Sequence, residues 1–572
     1  MSHVYEKANI KVRDGISLAA NVFRPTTGSA PTLLIRTPYG IDDLPWGGNG
    51  GVVPNLVAFM NAGFAVVWVS CRGTFGSEGT FIPLTDDQAD GFDTLEWITA
   101  RSWSNGRVGM YGPSYTGGTQ WAAASTGHPA LQAIAPMMSA LDWYKAPFYH
   151  PGGAYSPTLG VGWAVMMSSA DEARALQQGE GDMQRLLELG NALVSGIRVA
   201  EYTPLLEQPR LRETSWWTEM VRHSSRDGYW QTKDMTPALP QMTQPALFIT
   251  GWYDLFCPQQ LVDFATYRAH SGSEHARNGS RLIVGPWDHF DITMSAQFPD
   301  RDFGLAGCGP MVDITGEHLR HFKHWLRDDV EASSSEPRVK IFVMGEDQWR
   351  EAADWPVPGT VFTDFFLDGG KLTFEQPSEA RNLAYDYDPK NPVRSCAPGR
   401  DRLSAAYEPK DCAGDRGRND VLSFETETLT APVEVIGHVT ARLFVASDAV
   451  DTDFTVRLLD VFPDGRAIRL CDGLVRMRYR DDLATPKLIE PNRPYEVTVE
   501  VGATANVFRP GHRIRVDVSS SNFPRFDRNT NTGKEIATES IEDGIVARNT
   551  LFTGPEQASR VVLPLAMTWD NS

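Results

Sequence analysis

Near residue 350 the hydrophobic period of this 572-residue chain changes, and that change decides most of what the chain can fold into. Before it, short apolar-rich runs (TLLIRT at 32–37, AVVWVS at 65–70, RVGMYG at 107–112, ALFITG at 246–251, RLIVG at 281–285) alternate with stretches of helical period such as VPNLVAFMNAG, DGFDTLEWITA and QQLVDFATYRAH. Continuous apolar runs of that length suit strands buried on both faces, and the intervening stretches suit helices with one apolar stripe. Strands alternating with helices predict a parallel sheet with right-handed crossovers. After VKIFVMG and the proline-bearing ADWPVPGTVF the helical period disappears. VTARLFV, YEVTVEV and HRIRVDV alternate strictly, with turn signals such as Pro463-Asp464-Gly465 between strands. The sequence from about 352 is therefore expected to be all-β, a sandwich or jelly roll.

Two local signals refine this division. IKVRDGISLAANVF sets two alternating runs around Asp14-Gly15, a pair that tolerates the positive φ of a tight hairpin turn. Between about 143 and 243, DEARALQQGEGDMQRLLELGNALVSGI and ETSWWTEMVRHSS read as amphipathic helices with no strand between them. The expected organisation is an α/β domain in two parts (1–143 and 244–351), a helical cap inserted at 144–243, and a jelly-roll β domain at 352–572. A chain of this length is too long for one core.

The formal net charge of −19 repels phosphate backbones and anionic lipid, which argues against a nucleic-acid or membrane partner. The N-terminal MSHVYEKANIKVRDG has no apolar leader, and no run of 18 apolar residues occurs. Six thinly spread cysteines without a C-x-x-C predict neither disulfides nor a thiolate metal site, so a reducing, cytoplasmic setting is expected.

The chemistry centres on GMYGPSYTGGTQW, residues 109–121. It nearly fits the G-x-S-x-G elbow that presents a nucleophilic serine at a strand-to-helix turn in α/β-hydrolases, but Thr116 stands where the second glycine belongs. Ser114 follows an apolar run and precedes a stretch that can start a helix, and Gly112, Gly117 and Gly118 can supply the missing bulk-free positions. The competing reading is a serine in a glycine-rich loop. A serine needs a base and a carboxylate to orient that base. The fold's order is serine, acid, histidine. ITGWYDLF places Asp254, and IVGPWDHF places His289, each just past a later apolar run.

Asp288 is ranked below Asp254 as the orienting acid, because neighbours at a strand end point in different directions. The Tyr115 N–H is one oxyanion donor; the second must come from the loop after an early strand, TPYG, where Tyr39 is a candidate and a simple turn tyrosine is the alternative. His318, His321 and His324 recur at spacings of three on GEHLRHFKHW. With no carboxylate or thiol ligand nearby, a solvated or partly packed helix face is expected rather than a metal site.

Taken together, P-Y-G after the first long strand, C-R-G-x-x-x-S-x-G at 71–79, G-x-S-Y-x-G at the serine, G-W-Y-D at the acid and G-P-W-x-H at the base resemble the bacterial cocaine esterase family. That family is related to α-amino acid ester hydrolases, glutaryl acylases and X-prolyl dipeptidyl aminopeptidases. The resemblance continues through DTDFTVRLLDVFPDGRAIRLCDGLVRMRYR and SSSNFPRFDRNTNTG and so spans nearly the whole chain. It implies an α/β-hydrolase fold with an inserted helical cap and a C-terminal jelly roll. It also implies Ser114 as nucleophile, His289 as base, Asp254 as its partner, Tyr39 and Tyr115 as oxyanion donors, and an acyl pocket lined by Trp163 and Phe256. No metal or cofactor is implied, the partner is a small-molecule ester, and a homodimer is an option. Amide or peptide hydrolysis is the enzymatic alternative, and a carbohydrate-binding protein with an inactive hydrolase domain is the non-enzymatic one. Two segments depart from the family pattern, GIDDLPWGGNGG after Tyr39 and SCAPGRDRLSAAYEPKDCAG in the β domain, and Asp288 replaces a small polar residue.

Overall fold

The computed structural model describes residues 3–42, 54–291, 294–327, 337–397, 399–400 and 403–566. Strands β1 (His3–Lys11), β2 (Ser17–Pro25), β3 (Ala30–Thr37), β4 (Ala65–Ser70), β5 (Ser104–Pro113), β6 (Leu131–Met137), β7 (Leu247–Tyr253), β8 (Arg281–Asp288), β9 (Val339–Val343) and β10 (Gln348–Ala352) form one sheet in the order β1-β2-β4-β3-β5-β6-β7-β8-β9-β10. All neighbours from β4 through β9 are parallel. The sheet is mixed rather than parallel throughout, because the predicted N-terminal hairpin extends it: β1 pairs antiparallel with β2, which pairs antiparallel with β4, and β10 closes the other edge antiparallel to β9. A tight turn permits no other pairing, and Gly15 takes it at φ +92°.

Every residue of β3, β4 and β7 is buried, as expected of strands covered on both faces. Helices α1 (Leu56–Asn61), α2 (Asp87–Thr99) and α3 (Tyr115–Ala124) follow β3, β4 and β5. Between β6 and β7 the chain leaves the sheet and forms α4 (Pro157–Gln177), α5 (Met183–Val194), α6 (Ser215–Arg222) and α7 (Gly228–Gln231), with no strand among these described residues. It returns through β7 into α8 (Cys257–His270).

Beyond residue 352 the described chain is strands and short 3-10 turns. The strand Val433–Ser447 pairs antiparallel with Tyr495–Phe508, and Asp453–Val461 lies between Ala467–Arg476 and Arg513–Ser519. This all-β domain is joined to the sheet by the Met344 N–H on Ala505 O and the Val507 N–H on Met344 O (2.9 and 2.8 Å). It grips the helical insert by the Arg476 N–H on Gly152 O and the Asp527 N–H on Tyr155 O (2.9 and 2.8 Å). The carboxyl ends of β3, β5, β7 and β8, the insert and the β domain therefore converge on one region.

Candidate active site

Ser114 sits between the end of β5 and the start of α3 at φ 58°, ψ −126°, a conformation that costs a residue with a side chain roughly 1–3 kcal/mol unless its surroundings enforce it. The surroundings here are crowded. A Cβ on Gly112 would lie 2.9 Å from Ile35 Cδ1, one on Gly117 2.7 Å from Ser139 Oγ, and one on Gly118 2.5 Å from Trp143 Cζ2. Gly112 also needs its φ of +129°. Thr116 is accommodated because Gly112 has no side chain: the Thr116 hydroxyl turns back onto Pro113 O at 2.5 Å, and its Cβ would lie 2.9 Å from a Cβ on Gly112. The departure from G-x-S-x-G is thus a shift of the steric constraint from position 116 to 117.

His289 directly follows β8, and its Nε2 is 3.0 Å from Ser114 Oγ. Its Nδ1 is 2.6 Å from Oδ2 of Asp254, which directly follows β7 and is 2% exposed. The other oxygen of Asp254 accepts the Phe256 N–H at 2.7 Å, so the carboxylate is fixed from both sides. Asp288, the last residue of β8, accepts the Asp291 N–H at 2.9 Å, whereas the His289 ring is held by Asp254. Burial pushes its carboxyl up to about 6, with Asp291 and Glu408 adding to the rise.

The structure also brings Tyr39 and Tyr115 to the serine. The Trp163 Nε1–H donates to the Tyr39 phenol oxygen at 3.2 Å, and the same phenol lies within hydrogen-bonding reach of the Ser114 side chain and the Tyr115 backbone N–H. Burial pushes the Tyr39 phenol up to about 12, so at neutral pH it is a protonated donor. The two candidate oxyanion donors therefore meet beside the serine.

Phe256 is 1% exposed at the head of α8, with its ring 5.4 Å from that of His289. Trp163, on α4, packs near Tyr115 (5.9 Å), Phe148 (5.6 Å) and Trp216 (5.1 Å). Trp143, Phe148, Phe81 and Trp216 complete an aromatic wall that the sequence did not single out, since contacts across loops leave no periodic trace. Of the two divergent segments, 43–51 lies outside the described residues. The second contributes Tyr407, whose hydroxyl is 2.7 Å from Ser156 Oγ and whose ring faces Phe290 at 6.0 Å.

Of the three histidines of Ile314–Leu326, His318 and His321 are buried and His324 is half-buried, which agrees with the partly packed face of the two expected readings, and burial drives the His318 and His321 imidazoles down to about 4 and about 3. Among the described residues no group of three or more His, Cys, Asp or Glu could hold a metal. No described helix is long and apolar enough to cross a membrane.

The X-Pro dipeptidyl-peptidase (S15 family) matches residues 14–291, and the X-Pro dipeptidyl-peptidase C-terminal non-catalytic domain matches 331–562. Cocaine esterase of Rhodococcus sp. (strain MB1 Bresler) is 42% identical over 570 residues, 97% of each chain. The chain belongs to this family. As an S15 member it is a serine hydrolase with an α/β-hydrolase-like N-terminal domain and a C-terminal all-β domain. An aminopeptidase from a marine-sediment Thaumarchaeota archaeon shares the architecture at TM-score 0.82 and 25% identity, over 99% of this chain and 97% of that one. An α-amino acid ester hydrolase superposes at TM-score 0.80 with 24% identity, over 98% and 96%, a likeness of fold.

Proposed function

We propose that the protein is a serine carboxylesterase acting on small esters with an aromatic or apolar acyl group, through an acyl-enzyme on Ser114. The observation that carries this is the unbroken line from Asp254 to His289 (2.6 Å) to Ser114 (3.0 Å), with two donors beside the serine. As Ser114 Oγ bonds to the ester carbonyl carbon, its proton passes to His289 Nε2 and the carbonyl π electrons collect on oxygen, facing the Tyr115 N–H and the Tyr39 O–H. The intermediate collapses, the C–O bond breaks, and His289 returns the proton to the departing alcohol. Water then attacks the acyl-enzyme with His289 as base, releasing the acid and restoring Ser114. Asp254 holds the ring and its tautomer.

In this reading residues 144–243 form a cap over the site and 352–572 a jelly roll closing its third side, with Trp163 and Phe256 on the acyl pocket. Six free cysteines support the cytoplasm as its compartment. The test is a comparison of kcat/KM for phenyl and benzoyl esters with that for Xaa-Pro anilides. The expected result is preference for the esters; preference for the anilides replaces the proposal with peptide hydrolysis.

A further inference from the structure

We propose that Asp87 is a positioning residue for the oxyanion hole, acting through the side chain of Tyr115. This rests on the reading of Ser114 as nucleophile and explains why the residue after it is a tyrosine. The backbone N–H of Tyr115 lies by the Tyr39 phenol, while its ring is 1% exposed, buried behind the aromatic wall of the site. There the phenol O–H donates to Asp87 Oδ2 at 2.6 Å and the phenol oxygen accepts the Leu84 N–H at 2.8 Å. The ring lies parallel to Trp163 (5.9 Å, 19°) and edge-on to Trp143 (5.7 Å). The first residue of α3 is thus held at both ends, and the amide that must meet an oxyanion lies between.

Asp87, the first residue of α2, is 5% exposed, and its other oxygen accepts Arg36 Nη2 at 3.1 Å while its carbonyl accepts Arg36 Nη1 at 2.7 Å. Arg36 is fully buried on β3, three residues before Tyr39. Its own carbonyl accepts the Thr119 hydroxyl of α3 at 3.1 Å. One buried ion pair therefore braces both donors, Tyr39 through β3 and Tyr115 through its phenol. A buried pair of this kind is a poor device for stability alone, since apolar residues of equal volume serve as well or better. It is a good device for fixing a geometry in which about 1 Å of misplacement costs on the order of 10²-fold in rate.

The test is steady-state kinetics on an aryl ester for Tyr115→Phe, Asp87→Asn and the double variant, each normalised to active sites titrated with a fluorophosphonate. Either single change is expected to lower kcat by about 10-fold or more with KM within about 2-fold, and to weaken a trifluoromethyl ketone inhibitor by the same factor as kcat/KM. Because Asp87 acts through the phenol, the double variant is expected to be no worse than the weaker single by more than about 2-fold. Wild-type kcat in Tyr115→Phe, multiplicative losses in the double variant, or losses that vanish on normalisation would each overturn the proposal. Should Asp87→Asn not fold, Tyr115→Phe decides alone, since it leaves the Arg36–Asp87 pair in place. Loss of turnover in Ser114→Ala tests the underlying reading separately, whichever way the Tyr115 result falls.

Discussion

Replacing Gly117 with alanine probes the elbow at the position where its steric constraint has moved. A Cβ there would lie 2.7 Å from Ser139 Oγ and closer still to Ser139 Cβ, whereas ordinary contact begins at 3.4 Å. Something must move by up to about 1 Å. Ser139 has little freedom to do so: its N–H is held by Gln260 Oε1 at 3.3 Å, and Gln260 also donates to Pro136 O at 3.1 Å. The strain therefore falls on α3 and the serine before it. Overpacking of this kind costs about 1–3 kcal/mol of stability, and a shift of the nucleophile by about 1 Å costs on the order of 10²-fold in kcat. The assay is urea unfolding alongside kcat on an aryl ester, for Gly117→Ala and for Gly117→Ala with Ser139→Gly. The second change removes both clashing atoms, so the double variant is expected to recover most of the lost rate. If Gly117→Ala alone keeps wild-type kcat, or if Ser139→Gly restores nothing, the steric account of the elbow is wrong.

Other perturbations have equally definite signs. Tyr39→Phe removes one oxyanion donor and is expected to lower kcat by about 10²–10³-fold with KM little changed; an unchanged kcat excludes the phenol from that role. Asp254→Asn leaves His289 without its carboxylate and is expected to lower kcat by on the order of 10⁴-fold at neutral pH, whereas Asp288→Asn is expected to leave most activity. The stability effect of Asp288→Asn depends on pH. The folded-state carboxyl is raised from 3.8 to about 6, so the folded protein keeps a proton the unfolded chain has lost, and stability falls as pH rises through that window. Removing the charge should add about 3 kcal/mol above pH 7 and nothing below about pH 4, measured by urea unfolding at each pH.

Much of this was readable from residues because it follows from local period or local turn chemistry. Strands buried on both faces announce themselves as continuous apolar runs, so β4 and β7 were visible, and so were Asp254 and His289, which sit directly after such runs. The hairpin at Asp14-Gly15 was visible too, but not that it would pair with β4 and make the sheet mixed, because edge pairing depends on which strand lies free in space. The spacing of the histidines of Ile314–Leu326 leaves a solvated and a partly packed face equally open; packing of Phe322 and its neighbours against the sheet decides for burial of His318 and His321. Asp87 left a misleading trace: an acidic pair at a helix start is what a favourable macrodipole contact produces anyway. Its bonds to Tyr115 and Arg36 join residues far apart in the chain and have no periodic signature.

The central claim is that Ser114 is the nucleophile of a working triad. Its most direct test is mass-spectrometric mapping of the adduct formed when the folded protein is treated with a fluorophosphonate. The account predicts a single stoichiometric modification on Ser114, lost in His289→Ala. An unmodified Ser114 in folded protein, or a stoichiometric adduct on another residue, would contradict it.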